Sequence, residues 1–129
     1  MSDTSYEHKS RIQKLGIRAG QAVLLVGVTD AHFISELQAA GARITRTATP
    51  DLIFCAVETR ASLATLADLA QRMKSAGALW TIRPKGSVAI SESDLLKAGR
   101  AAALVDVKVV RFSETHTANK FVVPKKMRA

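Results

Sequence analysis

The sequence predicts an α/β protein of one domain with a mostly parallel β-sheet. Short apolar runs of strand length recur along the chain, and such runs are typical of strands covered on both faces of a parallel sheet. Segments with helical spacing of apolar residues separate these runs, and this alternation favours an α/β fold. The chain has 129 residues. That length suits a single domain that needs neither a disulfide nor a metal to fold.

The first half of the chain contains two predicted helices and three predicted strands. A short helix over 9–15 ends at Gly16, and a second helix begins at Thr29 or Asp30 and ends at Gly41. The predicted strands span Ala22–Val26, 42–45 and 51–57. The first and third are continuous apolar runs, so we expect them at the centre of the sheet.

The second half is predicted to add two helices, a strand and a hairpin. Thr59 begins a helix whose apolar stripe comprises Leu63, Leu66, Ala67, Ala70 and Met73. A fourth strand over 78–82 leads into a loop over 83–88, and a capping box at 91–94 starts a helix that runs to about residue 103. Alternation over 105–112 and a run over 120–123 predict an antiparallel hairpin with a long turn, SETHTAN.

Charge is uneven along the chain. Lysine and arginine number 19 against 11 acidic residues, which gives a formal net charge of +8. The local excess lies near the two termini, at Lys9, Arg11, Lys14, Arg18, Lys120, Lys125, Lys126 and Arg128. This position favours solvated segments, with a flexible lead over 1–10, the domain over 11–124 and a basic tail over 125–129. A surface for nucleic acid or another polyanion is the alternative.

The remaining composition points to a cytoplasmic protein without a membrane partner. The N-terminus lacks the apolar run of a signal peptide, and no segment approaches the roughly 20 apolar residues of a membrane span. Cys55 is the only cysteine and lies inside an apolar run, so we expect a buried, inert thiol. The three histidines lack metal-ligand spacing, and no metal site is predicted.

A helix followed by an antiparallel hairpin, after a run of parallel strands, resembles the C-terminal half of class I S-adenosylmethionine-dependent methyltransferases. The resemblance implies a Rossmann-like three-layer sandwich with strand order 2-1-3-4-6-5. It also implies that this chain lacks one strand and one helix between Ile44 and Asp51.

Particular phrases resemble a bacterial family of small uncharacterised proteins, a domain of unknown function. They are KLGIRAG at 14–20, VLLVG at 23–27, GALWTIRPKG at 77–86, LVDVKV at 104–109, and Glu114-Thr115 followed by KFV at 120–122. The family implies the same reduced methyltransferase-like fold and no established activity. An aromatic residue is expected after Glu-Thr, where this chain has His116.

The usual devices for S-adenosylmethionine are weak in this sequence. A glycine-rich first loop and an acidic residue at the end of the second strand normally hold the adenosine and its ribose. Here the first loop has only Gly27, and the second strand ends in Arg43-Ile44-Thr45-Arg46. Asp30 is interpreted as a helix cap, with a ribose contact as the alternative. Binding of S-adenosylmethionine is therefore not favoured.

Ligands of open α/β sheets bind beyond the carboxyl ends of the strands. The candidate ligand-binding residues there are Gly27, Thr29, Asp30, Glu58, Arg83, Lys85 and Ser87. Arg83 and Lys85 flank Pro84 and could hold a phosphate or carboxylate, with a solvated loop as the alternative. Trp80 is expected in the core, with a stacking platform for a base as the alternative.

The leading hypothesis is a non-catalytic domain, or one that binds a small anion or nucleotide in a basic crevice, and no catalytic residue is assigned. A degenerate S-adenosylmethionine-dependent methyltransferase is the alternative. A nucleic-acid-binding module or a protein-interaction module is a further alternative. A homodimer is compatible with an uncovered hairpin edge.

Overall fold

The structure, a computed structural model, describes residues 9–127 and contains a six-stranded sheet with helices on both faces. The strands are β1 Ala22–Val26, β2 Arg43–Ile44, β3 Leu52–Ala56, β4 Ala78–Pro84, β5 Val105–Arg111 and β6 His116–Val122. The helices are α1 Arg11–Lys14, α2 Ala31–Ala39, α3 Arg60–Leu63, α4 Leu66–Arg72 and α5 Glu92–Ala101, with a 3₁₀ turn at Lys125–Met127. Most of the predicted lead (1–8) and the end of the tail (128–129) lie outside the described residues.

The spatial strand order is β2-β1-β3-β4-β6-β5. The first four strands are parallel to one another, and β6 runs antiparallel to both β4 and β5. The fold class and the strand order predicted from the sequence are both confirmed. The antiparallel β5–β6 pair forms one side of the sheet, and no helix connects these two strands.

Two apolar cores cover the two faces of the sheet. On one face, the α1–α2 face, Leu15, Phe33 and Leu37 pack against Phe54 and Trp80. The Phe33 ring meets Phe54 edge-on, with their centroids 5.1 Å apart. On the other face, α4 and α5 pack on β3, β4 and β6 through Leu66, Leu69, Leu95, Ile53, Leu79 and Phe121. Trp80 is fully buried, which confirms its predicted place in the core.

Strand β2 is very short. It pairs with β1 only at Ala22 and Val23, and the chain returns through residues 45–51 to start β3, with no helix between. The predicted loss of a strand and a helix in this region is confirmed. Since β1 continues to Val26, β2 ends three residues short of it, or roughly 10 Å at about 3.3 Å per residue.

The hairpin differs from its prediction. The segment SETHTAN was expected to be a long turn, but β6 begins at His116 and the turn is only residues 112–115. Thr117 and Asn119 pair with Arg83 and Thr81 of β4, so tertiary pairing makes a polar segment a strand. The same pairing lengthens β4 to Pro84, two residues beyond the predicted end at 82.

The helix predicted to follow Thr59 is divided in two. Backbone bonds from Ala64 to Ala61 and from Thr65 to Ser62 close α3 with tight turns, and the Thr65 hydroxyl also donates to the Ser62 carbonyl at 2.7 Å. Such hydroxyl bonds compete with regular helix geometry. Two other helices are shorter than predicted, since α1 spans Arg11–Lys14 and α5 ends at Ala101. The capping box at the start of α5 is confirmed, with Ser91 and Asp94 bonded reciprocally.

Strand β5 is one of the two edge strands of the sheet, and β2 is the other. Val105, Val107 and Val109 are exposed on β5, and the register shifts between Asp106 and Lys108. Bulges and charges on an edge strand oppose pairing with another chain. Association through this edge stays a prediction. Within residues 9–127, no helix has the length and hydropathy to cross a membrane.

Candidate functional site

A pocket of about 250 Å³ lies beyond the carboxyl ends of the central strands. It is lined by Gly27, Val28, Thr29, Asp30, Ala56, Glu58, Ile82, Phe112, Ser113, Thr115 and His116. We call it the edge pocket. Four segments meet there: the turn after β1, the end of β3, Ile82 of β4, and the hairpin turn that leads into β6. This is the edge at which open α/β sheets bind ligands.

The turn after β1 forms one wall of the edge pocket. Gly27 has φ +72°, a left-handed conformation that favours glycine. A Cβ atom at Gly27 would be 3.4 Å from the Cβ of Ala56, which is ordinary contact. Backbone conformation, rather than lack of space, therefore explains the glycine.

Asp30 caps α2 at the same wall. Its Oδ1 accepts a hydrogen bond from the Phe33 amide at 3.1 Å, and its Oδ2 lies 3.8 Å from Arg11 Nη1. The cap predicted from the sequence is confirmed. The cap engages Oδ1, so Oδ2 is the oxygen that can pair with Arg11 or with a ligand.

Arg11 supports the edge pocket from α1. Its Nε donates to Glu36 at 2.9 Å, and its Nη1 donates to the Phe112 carbonyl at 2.9 Å. The guanidinium also lies over the rings of Phe33 and Phe112, at 5.1 and 4.6 Å from their centroids. Arg11 therefore joins α1, α2 and the end of β5, and positions Phe112 in the pocket wall.

Glu58 and His116 lie next to each other in the opposite wall of the edge pocket. His116 Nε2 lies 3.6 Å from Glu58 Oε2, and His116 Nδ1 shares a 2.8 Å hydrogen bond with the Thr115 hydroxyl. The Glu58 side chain is 61% exposed, so its oxygens can accept hydrogen bonds from a ligand. This wall supplies a carboxylate, an imidazole and a hydroxyl within one small volume.

Four of the seven predicted site residues line the edge pocket: Gly27, Thr29, Asp30 and Glu58. The other three, Arg83, Lys85 and Ser87, do not line it. Ile82 belongs to the core of the α1–α2 face. Successive strand residues point to opposite faces, so Arg83 is directed to the other side of the sheet.

Lys85 and Ser87 hold the loop that follows β4. The Lys85 amide donates to the Thr115 carbonyl at 2.9 Å, and Ser87 Oγ accepts from the Ile90 amide at 3.3 Å. The Arg83 Nε atom is buried and has no hydrogen-bond partner among the described residues. Arg83 pairs with Thr117 of β6 and Lys85 bonds to Thr115, so these two residues lie beside the hairpin, whereas Ser87 bonds within its own loop.

The charge of the edge pocket is the reverse of the predicted basic crevice. Asp30 and Glu58 contribute two carboxylates, and none of the described residues that line it is a lysine or arginine. The basic crevice was predicted because Arg83 and Lys85 were assigned to a loop at this edge, whereas Arg83 lies within β4. Carboxylates favour a ligand with hydroxyl donors or a positive charge.

Sequence reasoning missed the hairpin contribution to the pocket, which comes from Phe112, Ser113, Thr115 and His116. These residues were not recognised because the last strand was predicted to begin at Lys120, four residues after the observed start of β6.

Cys55, one residue before Ala56, is buried, and burial raises the pKa of its thiol. The inert role predicted for Cys55 agrees with this. Within residues 9–127, no three His, Cys, Asp or Glu side chains converge to hold a metal.

The strand order defines the class of fold. A six-stranded sheet in this order, with an antiparallel hairpin at its end, is the methyltransferase-like form of the Rossmann-like α/β sandwich. Solved methyltransferases share it. The chain is similar to a putative methyltransferase from Thermoplasma acidophilum, with 11% identity and a TM-score of 0.66, over 88% of this chain and 72% of that one.

Two further methyltransferases are similar over most of their length. A SAM-dependent methyltransferase from Aquifex aeolicus has 16% identity and a TM-score of 0.67, over 87% of each chain. A 1,6-didemethyltoxoflavin-N1-methyltransferase from Burkholderia thailandensis, solved with S-adenosylhomocysteine, has 12% identity and a TM-score of 0.62, over 93% and 80%. Against two larger O-methyltransferases, NcsB1 and MmcR, the chain spans only 49% of their length.

These likenesses show the fold alone, because all the identities are low. No family model matches the sequence, and no curated protein is similar to it in sequence. The functional conclusion therefore depends on the residues of the edge pocket.

The edge pocket meets only part of what S-adenosylmethionine requires. Because β2 stops beside Val23, the carboxylate that usually ends the second strand has no equivalent at this edge. Glu58 and Asp30 supply acceptors for ribose hydroxyls and for positive charge from the side of β3 and α2 instead. Val28, Ile82 and Phe112 supply apolar contact area. The residues present fit a nucleoside that carries a positive charge.

Proposed function

We propose that this protein binds a nucleoside ligand of the S-adenosylmethionine type in the edge pocket, as a reduced, methyltransferase-like binding protein. The observation that carries the proposal is the pair of carboxylates, Asp30 and Glu58, in the wall of a pocket at the ligand edge of this fold. S-adenosylmethionine offers ribose hydroxyls as donors and carries a sulfonium and an ammonium. Carboxylates interact favourably with all three groups.

The small volume of the edge pocket limits the affinity that we expect. A volume of about 250 Å³ lies just below the usual range of roughly 300–1,000 Å³ for ligand sites. Since β2 is short, one side of the adenosine is left without a wall. We therefore expect modest affinity, with part of the ligand exposed to solvent. Membership of the small bacterial family that the sequence resembles stays a prediction.

Calorimetric titration with three ligands tests the proposal. We expect S-adenosylmethionine to bind, S-adenosylhomocysteine to bind more weakly because it lacks the sulfonium charge, and ATP not to bind because the carboxylates repel its phosphates. Tighter binding of ATP than of S-adenosylmethionine would overturn the proposal. So would the absence of heat with all three ligands at millimolar concentration.

A matched pair of variants tests the site. Glu58→Gln keeps an acceptor but removes the charge, and we expect it to weaken S-adenosylmethionine about tenfold, or about 1.4 kcal/mol. Glu92→Gln removes the same charge from an exposed position on α5, away from the pocket. Equal affinities for the two variants would place the ligand elsewhere.

Methyl transfer is the second candidate, and the His116–Glu58 contact favours it. A bound S-adenosylmethionine would supply an electrophilic methyl group. His116 Nε2 could take the proton of an attacking hydroxyl, and Glu58 would stabilise the resulting imidazolium. Transfer of labelled methyl groups to a mixture of small hydroxylated acceptors tests this. His116→Gln should then abolish transfer while ligand binding persists, and no transfer by the unaltered protein would reject the candidate.

A further inference from the structure

A second cavity lies at the opposite edge of the sheet, where β3 and β4 begin and β6 ends. Its volume is about 330 Å³. Charged side chains in its lining come from four separate parts of the chain: Arg18, Asp51, Lys74 and Lys120. We call it the basal cavity. It shares no lining residue with the edge pocket.

The positive charge of the basal cavity is only partly neutralised. Asp51 is its one carboxylate, and both oxygens are engaged: Oδ1 accepts from Lys74 Nζ at 2.9 Å, and Oδ2 accepts from the Ala22 amide at 2.8 Å. Lys74 is thereby paired. The Arg18 guanidinium has no hydrogen bond or ion pair within residues 9–127, so its five donors are available to a ligand.

Lys120 is the second cation in the lining of the basal cavity that forms no ion pair with a carboxylate within residues 9–127. Its Nζ lies 5.9 Å from the centroid of the buried Trp80 ring. Partial burial lowers the pKa of Lys120, and the positive charge of Lys108 on the neighbouring strand lowers it further. An ammonium that has lost hydration without gaining a counter-ion is stabilised when an anion binds beside it.

The basal cavity also brings together two charge clusters that are distant in the sequence. Arg18 belongs to the N-terminal cluster and Lys120 to the C-terminal cluster. Both clusters were predicted to be solvated segments. Lys108, which pairs with Lys120 across β5 and β6, donates from its Nζ to the Lys14 carbonyl at 3.2 Å, so this bond connects the two clusters through a further cation. The Lys14 carbonyl accepts a hydrogen bond from Lys108 but does not neutralise the positive charge of Lys108.

We propose that the basal cavity binds a phosphate group, held between the Arg18 guanidinium and the Lys120 ammonium. The planar fork of arginine matches two phosphate oxygens, and lysine adds a point charge. The cavity is larger than a bare phosphate, and Leu15, Ala76 and Val122 provide apolar lining for an attached organic group. A phosphate monoester of a small molecule is therefore the expected ligand class.

Trp80 provides a direct signal for this binding. It is the only tryptophan in the chain and lies beneath Lys120. We expect inorganic phosphate to change its fluorescence in a saturable way, while sodium chloride at equal ionic strength does not. Phenyl phosphate should bind at least as well as inorganic phosphate. Tighter binding of the ester supports a phosphorylated metabolite, and equal binding supports the free anion. A response that does not saturate, or that chloride reproduces, overturns the proposal.

Charge variants locate the phosphate. Arg18→Gln should weaken phosphate at least tenfold, and Arg100→Gln, which removes an exposed arginine from α5, should leave the affinity unchanged. Lys120→Met retains the side-chain stem over Trp80, and because it alters the fluorophore's surroundings its affinity is measured by calorimetry. Lys97→Met on α5 is its control. Circular dichroism verifies that each variant is folded. Equal affinities within either pair would overturn the proposal.

Discussion

Arg11 and Phe112, which are 101 residues apart in the sequence, are joined by a hydrogen bond and by a ring contact. Arg11 Nη1 donates to the Phe112 carbonyl at 2.9 Å, and the guanidinium carbon lies 4.6 Å from the centroid of the Phe112 ring. The Arg11 side chain is only 16% exposed. This contact fastens the first helix to the end of β5 and, through Phe112, shapes the edge pocket.

Arg11→Met should destabilise the protein by about 2 kcal/mol. The change removes two charge-assisted hydrogen bonds and the contact with two rings, while the methionine side chain keeps part of the packing. Urea unfolding measures the loss. Arg100→Met, at an exposed position on α5, should cost under 0.5 kcal/mol. Equal losses for the two variants would contradict the role assigned to Arg11.

The sequence pattern could predict the central strands, and the resemblance to class I methyltransferases implied their order. β1 and β3 are continuous apolar runs, and their neighbours carry recognisable caps and glycine stops, so local pattern and global fold agree there. The β6 segment could not be predicted over its full length. Thr117 and Asn119 are polar, and their place in the sheet depends on pairing with β4, which no local pattern shows.

The candidate site could be predicted only where its residues follow a strand. Gly27 and Glu58 come after β1 and β3, and both line the edge pocket. Arg83 was predicted in a loop at this edge, but it lies within β4 next to Ile82, so its side chain is directed to the opposite face of the sheet. The convergence of Arg18 with Lys120 depends on tertiary structure, and charge clusters alone do not reveal it.

Asp51 should make stability depend on pH in acid. The hydrogen bond from the Ala22 amide, and then the bond from Lys74, hold the pKa of Asp51 below its ordinary value of 3.8. A carboxylate with a lowered pKa stabilises the folded state above the ordinary value, and the contribution is lost as pH falls through the lowered one.

Asp51→Asn tests this dependence. We expect the variant to lose about 1 kcal/mol at pH 7, since the pair is partly exposed and screened by solvent. The difference from the unaltered protein should narrow as pH falls well below 3.8. Urea unfolding at several pH values measures it. A difference that stays constant from neutral pH to strong acid would contradict the assignment.

Gly99→Ala should destabilise the protein although alanine favours helices. Gly99 lies inside α5, and a Cβ atom there would overlap the Phe121 ring of β6. Both residues are buried, so the ring has little room to move. We expect a net loss of about 1–3 kcal/mol from overpacking. Ser93→Ala, at an exposed position of the same helix, should be neutral or slightly stabilising. A stabilised Gly99→Ala would show that the helix can shift away from the sheet.

Cys55 should report the opening of the central sheet. Its side chain is buried in β3, and burial raises the pKa of the thiol, so both access and thiolate formation are suppressed in the folded state. Because it is the only cysteine, an aromatic disulfide reagent gives a single signal. We expect labelling under native conditions to be far slower than in urea-unfolded protein, and to accelerate as urea lowers the free energy of unfolding. Labelling as fast as that of a free thiol, without denaturant, would show that α4 does not cover β3 as described.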